Sequence, residues 1–131
     1  MGYIKNKSRI ASFYDIKSLQ AGIANDRLHA ILELIGPHQD KSILYIGCGK
    51  GHLLKHLTGQ YKVGVDISIE ALNVAKNYCD KTCVLNIDED GLSIFPDESF
   101  DIIVMTKLLE HLFFPEFALK EAHRALKMGG S

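Results

Sequence analysis

Apolar residues in this chain gather into short, nearly unbroken runs, separated by segments where they recur at helical spacing. Ser42–Ile46 (Ser-Ile-Leu-Tyr-Ile), Lys62–Asp66 (Lys-Val-Gly-Val-Asp), Thr82–Ile87 and Phe100–Met105 read as strands. Three of the four are rich in Val, Ile and Leu, the pattern of strands covered on both faces. Ahead of them, Leu19, Ile23, Leu28, Ile31, Leu32 and Ile35 predict a helix from Ser18 to Ile35. Gly36-Pro37 ends it, glycine supplying the cap and proline forbidding continuation. Gly51–Leu57 reads as a short crossover helix, and Ser68 as the cap of a helix running from Ile69 to about Cys79, with Glu70 favourably placed in its first turn. Asp88–Glu98 is an acidic connection holding Gly91 and Pro96. Pro115 suits the first turn of a last helix that reaches about Lys127 and stops at Gly129-Gly130.

Strands alternating with helices predict an α/β fold, a Rossmann-like doubly wound parallel sheet. Right-handed crossovers, with a reversal of direction after the third strand, give the strand order 3-2-1-4. The reversal opens a crevice beside the first strand, where ligands of open α/β sheets sit. Residues 1–17 are polar and basic and are expected to form a flexible arm, with residues 18–131 as the core.

At 131 residues the chain has the length of one domain. Its 47% hydrophobic and 24% charged residues are those of an ordinary globular protein. A net charge of −1 offers no electrostatic footprint for nucleic acid, so none is expected as a partner. No stretch is apolar enough to span a bilayer, and the N-terminus lacks the apolar core of a secretion signal, so no membrane association is expected. Cys48, Cys79 and Cys83 form no disulfide or zinc framework, which favours a reducing, cytoplasmic location.

The candidate chemistry lies at the strand ends. Ile43–His52 carries an apolar strand into Gly47-x-Gly49-x-Gly51. Such a turn brings bare backbone close to a ligand, and the segment after it offers unpaired N–H groups. A dinucleotide fingerprint requires its third glycine three positions after the second, at position 52. His52 stands there, and the third glycine comes one residue early. A nicotinamide-dependent oxidoreductase is therefore disfavoured. Asp66 closes the second strand, where a carboxylate can accept from both hydroxyls of a ribose. Ile67 can lie against a purine, and Asp88, after the third strand, can accept from an exocyclic amine. Each feature alone is weak, since an acid after a strand is often only a helix cap, but their order and spacing together point to a nucleoside. His52 and His56 stand one helical turn apart without a completing acid or sulfur ligand, so no metal site is expected and they read as a solvated face.

On these residues the chain resembles the class I S-adenosylmethionine-dependent methyltransferases, in particular the small-molecule, type 11-like group. Leu-Tyr-Ile-Gly-Cys-Gly-Lys-Gly matches their first motif, Val-Gly-Val-Asp66-Ile-Ser the acidic loop, and Phe95-Pro-Asp-Glu-Ser-Phe-Asp101-Ile-Ile-Val with Leu108-Leu-Glu-His-Leu112 the fourth-strand region. Leu119–Gly130 resembles the approach to a fifth strand.

The resemblance implies S-adenosylmethionine as cofactor, S-adenosylhomocysteine as product and a small-molecule methyl acceptor. It implies that Gly47, Gly49 and Gly51 wrap the methionine part, with Cys48 packed inside the turn. Asp66 would bind the ribose, Ile67 would flank the adenine, and Asp88 would take the adenine amine, with Asn86 as the alternative. Thr106 and Lys107 would line the methionine end and the acceptor site, Tyr14 would close over the cofactor, and His111 would act as base where the acceptor must lose a proton. The sulfonium supplies the reactive methyl group, and the protein aligns it with the nucleophile and excludes water.

Two departures stand out. Tyr45 replaces the acid usual two residues before the first glycine. Losing a charge-assisted contact of about 1.5–3 kcal/mol predicts cofactor binding weakened tenfold to a hundredfold or so. The family's last three strands would follow Ser131, so the fold is expected to lack them. The apolar edge of the fourth strand is then expected to be exposed and open to a homodimer mate or a partner chain. Together these departures keep a non-catalytic binding or scaffolding module as the competing function.

Overall fold

The computed structural model describes residues 3–4, 10–12, 29, 32–105 and 112–127. Strands β1 (Tyr3–Ile4), β2 (Ile10–Ser12), β3 (Ser42–Ile46), β4 (Tyr61–Asp66), β5 (Lys81–Val84) and β6 (Ile102–Met105) form one sheet in the order β1-β2-β6-β3-β4-β5. The four strands read from the sequence thus appear as β5-β4-β3-β6, all parallel, in the expected 3-2-1-4 order.

Alternation along the central strand divides the core. Leu44 and Ile46 of β3 join Val63, Val65, Ile103 and Met105 on one face. Helix α3 (Pro115–Ala125) covers that face through Ala118, Ala122 and Ala125, all fully buried. These alanines recur at helical spacing on one stripe, and their small side chains let the helix approach the sheet closely. Ile43 and Tyr45 point to the opposite face with Ile102 and Val104, beneath Leu54, Leu57 and the α1 (Ile69–Ala75) residues Leu72 and Ala75. Full burial of each large apolar side chain contributes about 1.5–3 kcal/mol, so the strands are held by both layers.

Several boundaries differ from the sequence-based expectation, each for a local reason. The third strand, expected to reach Ile87, ends at Val84, because Asn86 Oδ1 accepts the Asp88 N–H at 3.0 Å and starts the short helix α2 (Ile87–Asp90). The fourth strand begins at Ile102, since Asp101 is tied sideways to β3. The Ser42 N–H and hydroxyl donate to Asp101 Oδ2 at 2.9 and 3.0 Å, and the Asp101 N–H donates to the Ser42 carbonyl at 3.0 Å. The crossover after the glycine turn is a single 3-10 turn, Leu54–His56, and the carbonyls of Leu54 and of the capping Leu57 accept from Lys62 Nζ at 3.1 and 2.7 Å. The Ile69 helix passes into 3-10 geometry at Lys76–Tyr78, and Ser68 caps its start as expected, Oγ accepting from the Ala71 N–H at 3.1 Å.

A larger correction concerns the edge of the fourth strand. Its outer side, expected to be unpaired, is occupied by β2 in parallel register, Ile10 against Ile103 and Ser12 against Met105. Strand β6 is buried along its whole length, and backbone groups so far from water must find partners. The stretch expected to be a flexible arm therefore contributes β1 and β2, and its other residues lie outside those described.

Helix α3 also holds the segment before β6. Arg124 donates to the Phe95 and Leu92 carbonyls at 3.0 and 2.8 Å and to Asp97 Oδ1 at 2.7 Å, while Glu121 Oε1 accepts the Leu92 N–H at 2.8 Å. Partial burial opposes ionisation of Glu121, but the Leu92 N–H and Arg124 outweigh it and hold the carboxyl below its ordinary range. At Asp101, burial is likewise outweighed by the Ser42 bonds and the Lys127 and Lys41 charges.

Both carboxyls are depressed in the folded state, so their stabilisation is present above the ordinary values of 3.8 and 4.5 and is lost as pH falls through the lower folded values. Thermal melts should show an acid limb that flattens in the Asp101→Asn/Glu121→Gln double variant, and parallel limbs would contradict this. Gly64→Ala would place a methyl 3.0 Å from Cys48 Sγ and 3.3 Å from Leu54 Cδ2 inside the core. Urea denaturation should show a loss of about 1–3 kcal/mol from overpacking.

Candidate nucleoside site

The apolar pairing of β3 with β4 ends where the chain must turn out of the sheet. The Gly47 and Cys48 N–H groups both donate to the Val65 carbonyl, at 2.8 and 3.1 Å, which fixes the start of the turn to the end of β4. Gly49 and Gly51 then adopt φ of 57° and 91°, in the left-handed region that glycine favours. Their tasks differ. A Cβ on Gly51 would lie 3.0 Å from a Tyr78 ring carbon and 3.2 Å from Ala75 Cα, so this glycine lets the end of α1 pack behind the turn. A Cβ on Gly49 would meet no protein atom within 4 Å, so this position presents bare backbone to open space.

Asp66 binds the turn to the next loop. Its Oδ2 accepts the Gly49 N–H at 2.8 Å and its Oδ1 the Ser68 N–H at 2.9 Å. A carboxylate offers about four lone-pair sites, so each oxygen can accept one further donor. Beside it lies a cavity of about 260 Å3. Ile46, Val65, Leu85 and Ile87 give it apolar walls, while Gly47, Asp66, Asn86 and Asp88 supply polar atoms. Ile67, Leu112 and Phe113 complete the lining. The volume lies just below the usual range of ligand pockets, roughly 300–1,000 Å3, and suits the base and sugar of a nucleoside. Apolar walls for a purine, a carboxylate with spare acceptors for a ribose and a glycine turn open above it together fit S-adenosylmethionine.

The sequence-predicted residues divide into two groups. Gly47, Gly49, Gly51, Asp66, Ile67 and Asp88 are brought to the turn or the cavity. Tyr14, Thr106, Lys107 and His111 lie outside the described residues. Cys48 is buried and donates weakly to the Gly49 carbonyl at 3.6 Å. Burial first, then the charges of Asp66 and Cys79, push its thiol up to about 12, so it packs the turn and is no nucleophile. Tyr45 is 2% exposed and belongs to the opposite sheet face from Ile46, so its ring does not fill the cavity.

Asp88 holds the main surprise. Its Oδ2 accepts the Phe113 N–H at 3.1 Å and its Oδ1 the Phe114 N–H at 3.0 Å, which ties α2 to the segment entering α3. Asn86, by contrast, uses its Oδ1 as the cap of α2. Sequence reasoning missed Leu112 and Phe113, for which the only local signal is the apolar pair Phe113-Phe114 standing just ahead of the helix-starting Pro115.

The methyltransferase domain profile matches residues 44–131. The chain is 32% identical over 130 residues to the demethylmenaquinone methyltransferase of Tropheryma whipplei, covering 94% of this chain and 54% of the relative. It is 29% identical over 110 residues to the ubiquinone biosynthesis O-methyltransferase of Nitrosomonas europaea, covering 79% of this chain and 47% of that protein. Among solved structures, a SAM-dependent methyltransferase of Thermotoga maritima, titled a possible histamine N-methyltransferase, superposes with a TM-score of 0.64 at 29% identity over 79% of this chain and 46% of its own. The chain thus spans about half the length of the relatives it matches. With the strand order, the open glycine turn and the Asp66 carboxylate in place beside an apolar cavity, the chain belongs to the class I S-adenosylmethionine-dependent methyltransferase family.

Proposed function

We propose that this protein binds S-adenosylmethionine across the ends of β3, β4 and β5 and transfers its methyl group to a small-molecule acceptor, releasing S-adenosylhomocysteine. The observation that carries this reading is the Asp66 carboxylate, which holds the Gly49 N–H and still faces the cavity with acceptor capacity to spare. In this reading Asp66 takes the ribose hydroxyls, Ile67 covers one part of the adenine, and the amine edge of the base meets the polar wall that holds Asn86 and Asp88. The methionine end extends over Gly47, Gly49 and Gly51 towards Thr106 and Lys107, with Tyr14 closing over it. His111 serves as base for acceptors that lose a proton. The bound sulfonium supplies the activated methyl group, and the protein's share is alignment and exclusion of water.

The two relatives named for quinone biosynthesis support an acceptor that is a small metabolite. Its identity would be set in part by the N-terminal arm and the segment after β6. We place the protein in the cytoplasm, in keeping with its three free cysteines. Among the described residues no helix is long and apolar enough to cross a membrane.

Calorimetric titration should show S-adenosylhomocysteine binding and no NAD binding, and the reverse would refute the cofactor assignment. Asp66→Ala should lose at least tenfold to a hundredfold or so in affinity, the scale of charge-assisted hydrogen bonds. The same variant releases the Gly49 and Ser68 N–H groups, so its folding free energy should fall by about 1–3 kcal/mol in chemical denaturation while the circular dichroism spectrum is kept. Unchanged affinity would remove the ribose from Asp66.

A further inference from the structure

Each oxygen of the Asp88 carboxylate already accepts one main-chain N–H. The carboxylate accepts from the Phe113 and Phe114 N–H groups at 3.1 and 3.0 Å, joining α2 to residues that follow it by 25 and 26 positions. Phe114 is the residue preceding α3, and Pro115 at the first helical position has no N–H of its own. The helix start therefore takes its acceptor from another element, and the negative charge also suits its dipole. Phe113, held at this point, lines the cavity together with Ile67, yet the two side chains are 85% and 66% exposed. Large apolar groups exposed at the rim of a cavity with apolar walls bury surface only when something occupies it.

We propose that Asp88 is a positioning residue that latches Phe113 at the cavity rim, where its ring stacks on the purine, and that Asp88 itself leaves the adenine amine to other groups. This rests on the proposed nucleoside site and assigns within it a stacking residue and the carboxylate that holds it. The carboxylate acts through the backbone. With Asp88 removed, the Phe113 and Phe114 amides lose their acceptor and the ring loses its fixed place. The amine edge of the base then meets Asn86 on the same wall, whose Oδ1 accepts the Asp88 N–H and keeps a second lone pair for the amine, and neighbouring main chain.

Binding of S-adenosylhomocysteine and of its 6-deamino analogue to the wild-type chain and to Asp88→Ala, Asp88→Asn, Phe113→Ala and the Asp88→Ala/Phe113→Ala double variant provides the test. Phe113→Ala should weaken both ligands by roughly fivefold to a hundredfold, the scale of base–aromatic stacking. Asp88→Ala should weaken both ligands equally, and the double variant should be no worse than Phe113→Ala alone. Asp88→Asn keeps one acceptor oxygen and should fall between wild type and Asp88→Ala. Hydrogen exchange at the Phe113 and Phe114 amides of the unliganded Asp88→Ala chain should accelerate by roughly tenfold or more, while β3 and β4 keep their protection. A loss in Asp88→Ala that disappears with the deamino ligand would put the carboxylate on the amine and overturn the latch. Additive losses in the double variant, or unchanged exchange at the two amides, would overturn it too. If the wild-type chain binds neither ligand, the nucleoside site itself is wrong and the latch falls with it.

Discussion

A single carboxylate, Asp66, joins the two halves of the site. It ends β4, yet its hydrogen bonds go to Gly49 in the turn after β3 and to Ser68 at the cap of α1. Either loop alone has several conformations within reach, because glycine and the residues around a helix cap are both permissive. A half-buried negative charge needs donors, and the donors available are main-chain N–H groups, so satisfying Asp66 fixes both loops at once. Its oxygens keep further lone pairs, and the residue lines the cavity. That is the chemical condition for accepting a vicinal diol.

The sheet explains how this carboxylate can sit where it does while an acid is missing from the neighbouring strand. Tyr45 lies directly across from Gly64 in the β3–β4 register. The space beside Gly64 is closed by Cys48, Leu54 and Cys79, and Tyr45 packs in the same core cluster as all three. The ring is thus part of the core on the face away from the cavity. Replacing a polar strand-end residue by a buried aromatic exchanges a charge near the ligand for apolar packing, and leaves Asp66 as the carboxylate that contacts the glycine turn.

The sheet order was legible because continuous apolar runs allow few topologies, and the glycine turn because three close glycines after such a run have few other uses. Asp66 and Ile67 were placed by their position at a strand end. Strand ends were less legible. Thr82–Ile87 looks like one strand, and only the Asn86 side chain, a polar group able to compete for its own backbone, stops it early. Strand β2 was invisible because Ile-Ala-Ser has no alternation long enough to register, and its pairing is set by the unmet edge of β6 over ninety residues away. The reach of Asp88 to Phe113 and Phe114 was equally hidden, since no local pattern encodes a contact between α2 and the start of α3. The roles carried by Tyr14, Thr106, Lys107 and His111 rest on resemblance alone.

Helix α3 is held by side-chain and backbone contacts near both ends. At its start the Asp88 carboxylate receives the Phe113 and Phe114 amides, and towards its end Glu121 and Arg124 bind the backbone of Leu92 and Phe95. Between these anchors Gly91, at φ 58°, stands so close to the helix that an added Cβ would come within 2.7 Å of Glu121 Oε1 and 2.9 Å of the Phe117 ring. Residues 87–97 and α3 are therefore packed together on the sheet face formed by Leu44, Ile46 and Ile103. Ile87 and Asp88, with Phe113 tied to them, bring that unit to the cavity, whereas Ile46, Val65, the glycine turn and Asp66 belong to the sheet and its loops. In the proposed binding mode a ligand between them would touch both parts, so its affinity would depend on the helix–sheet spacing that the three buried alanines of α3 impose.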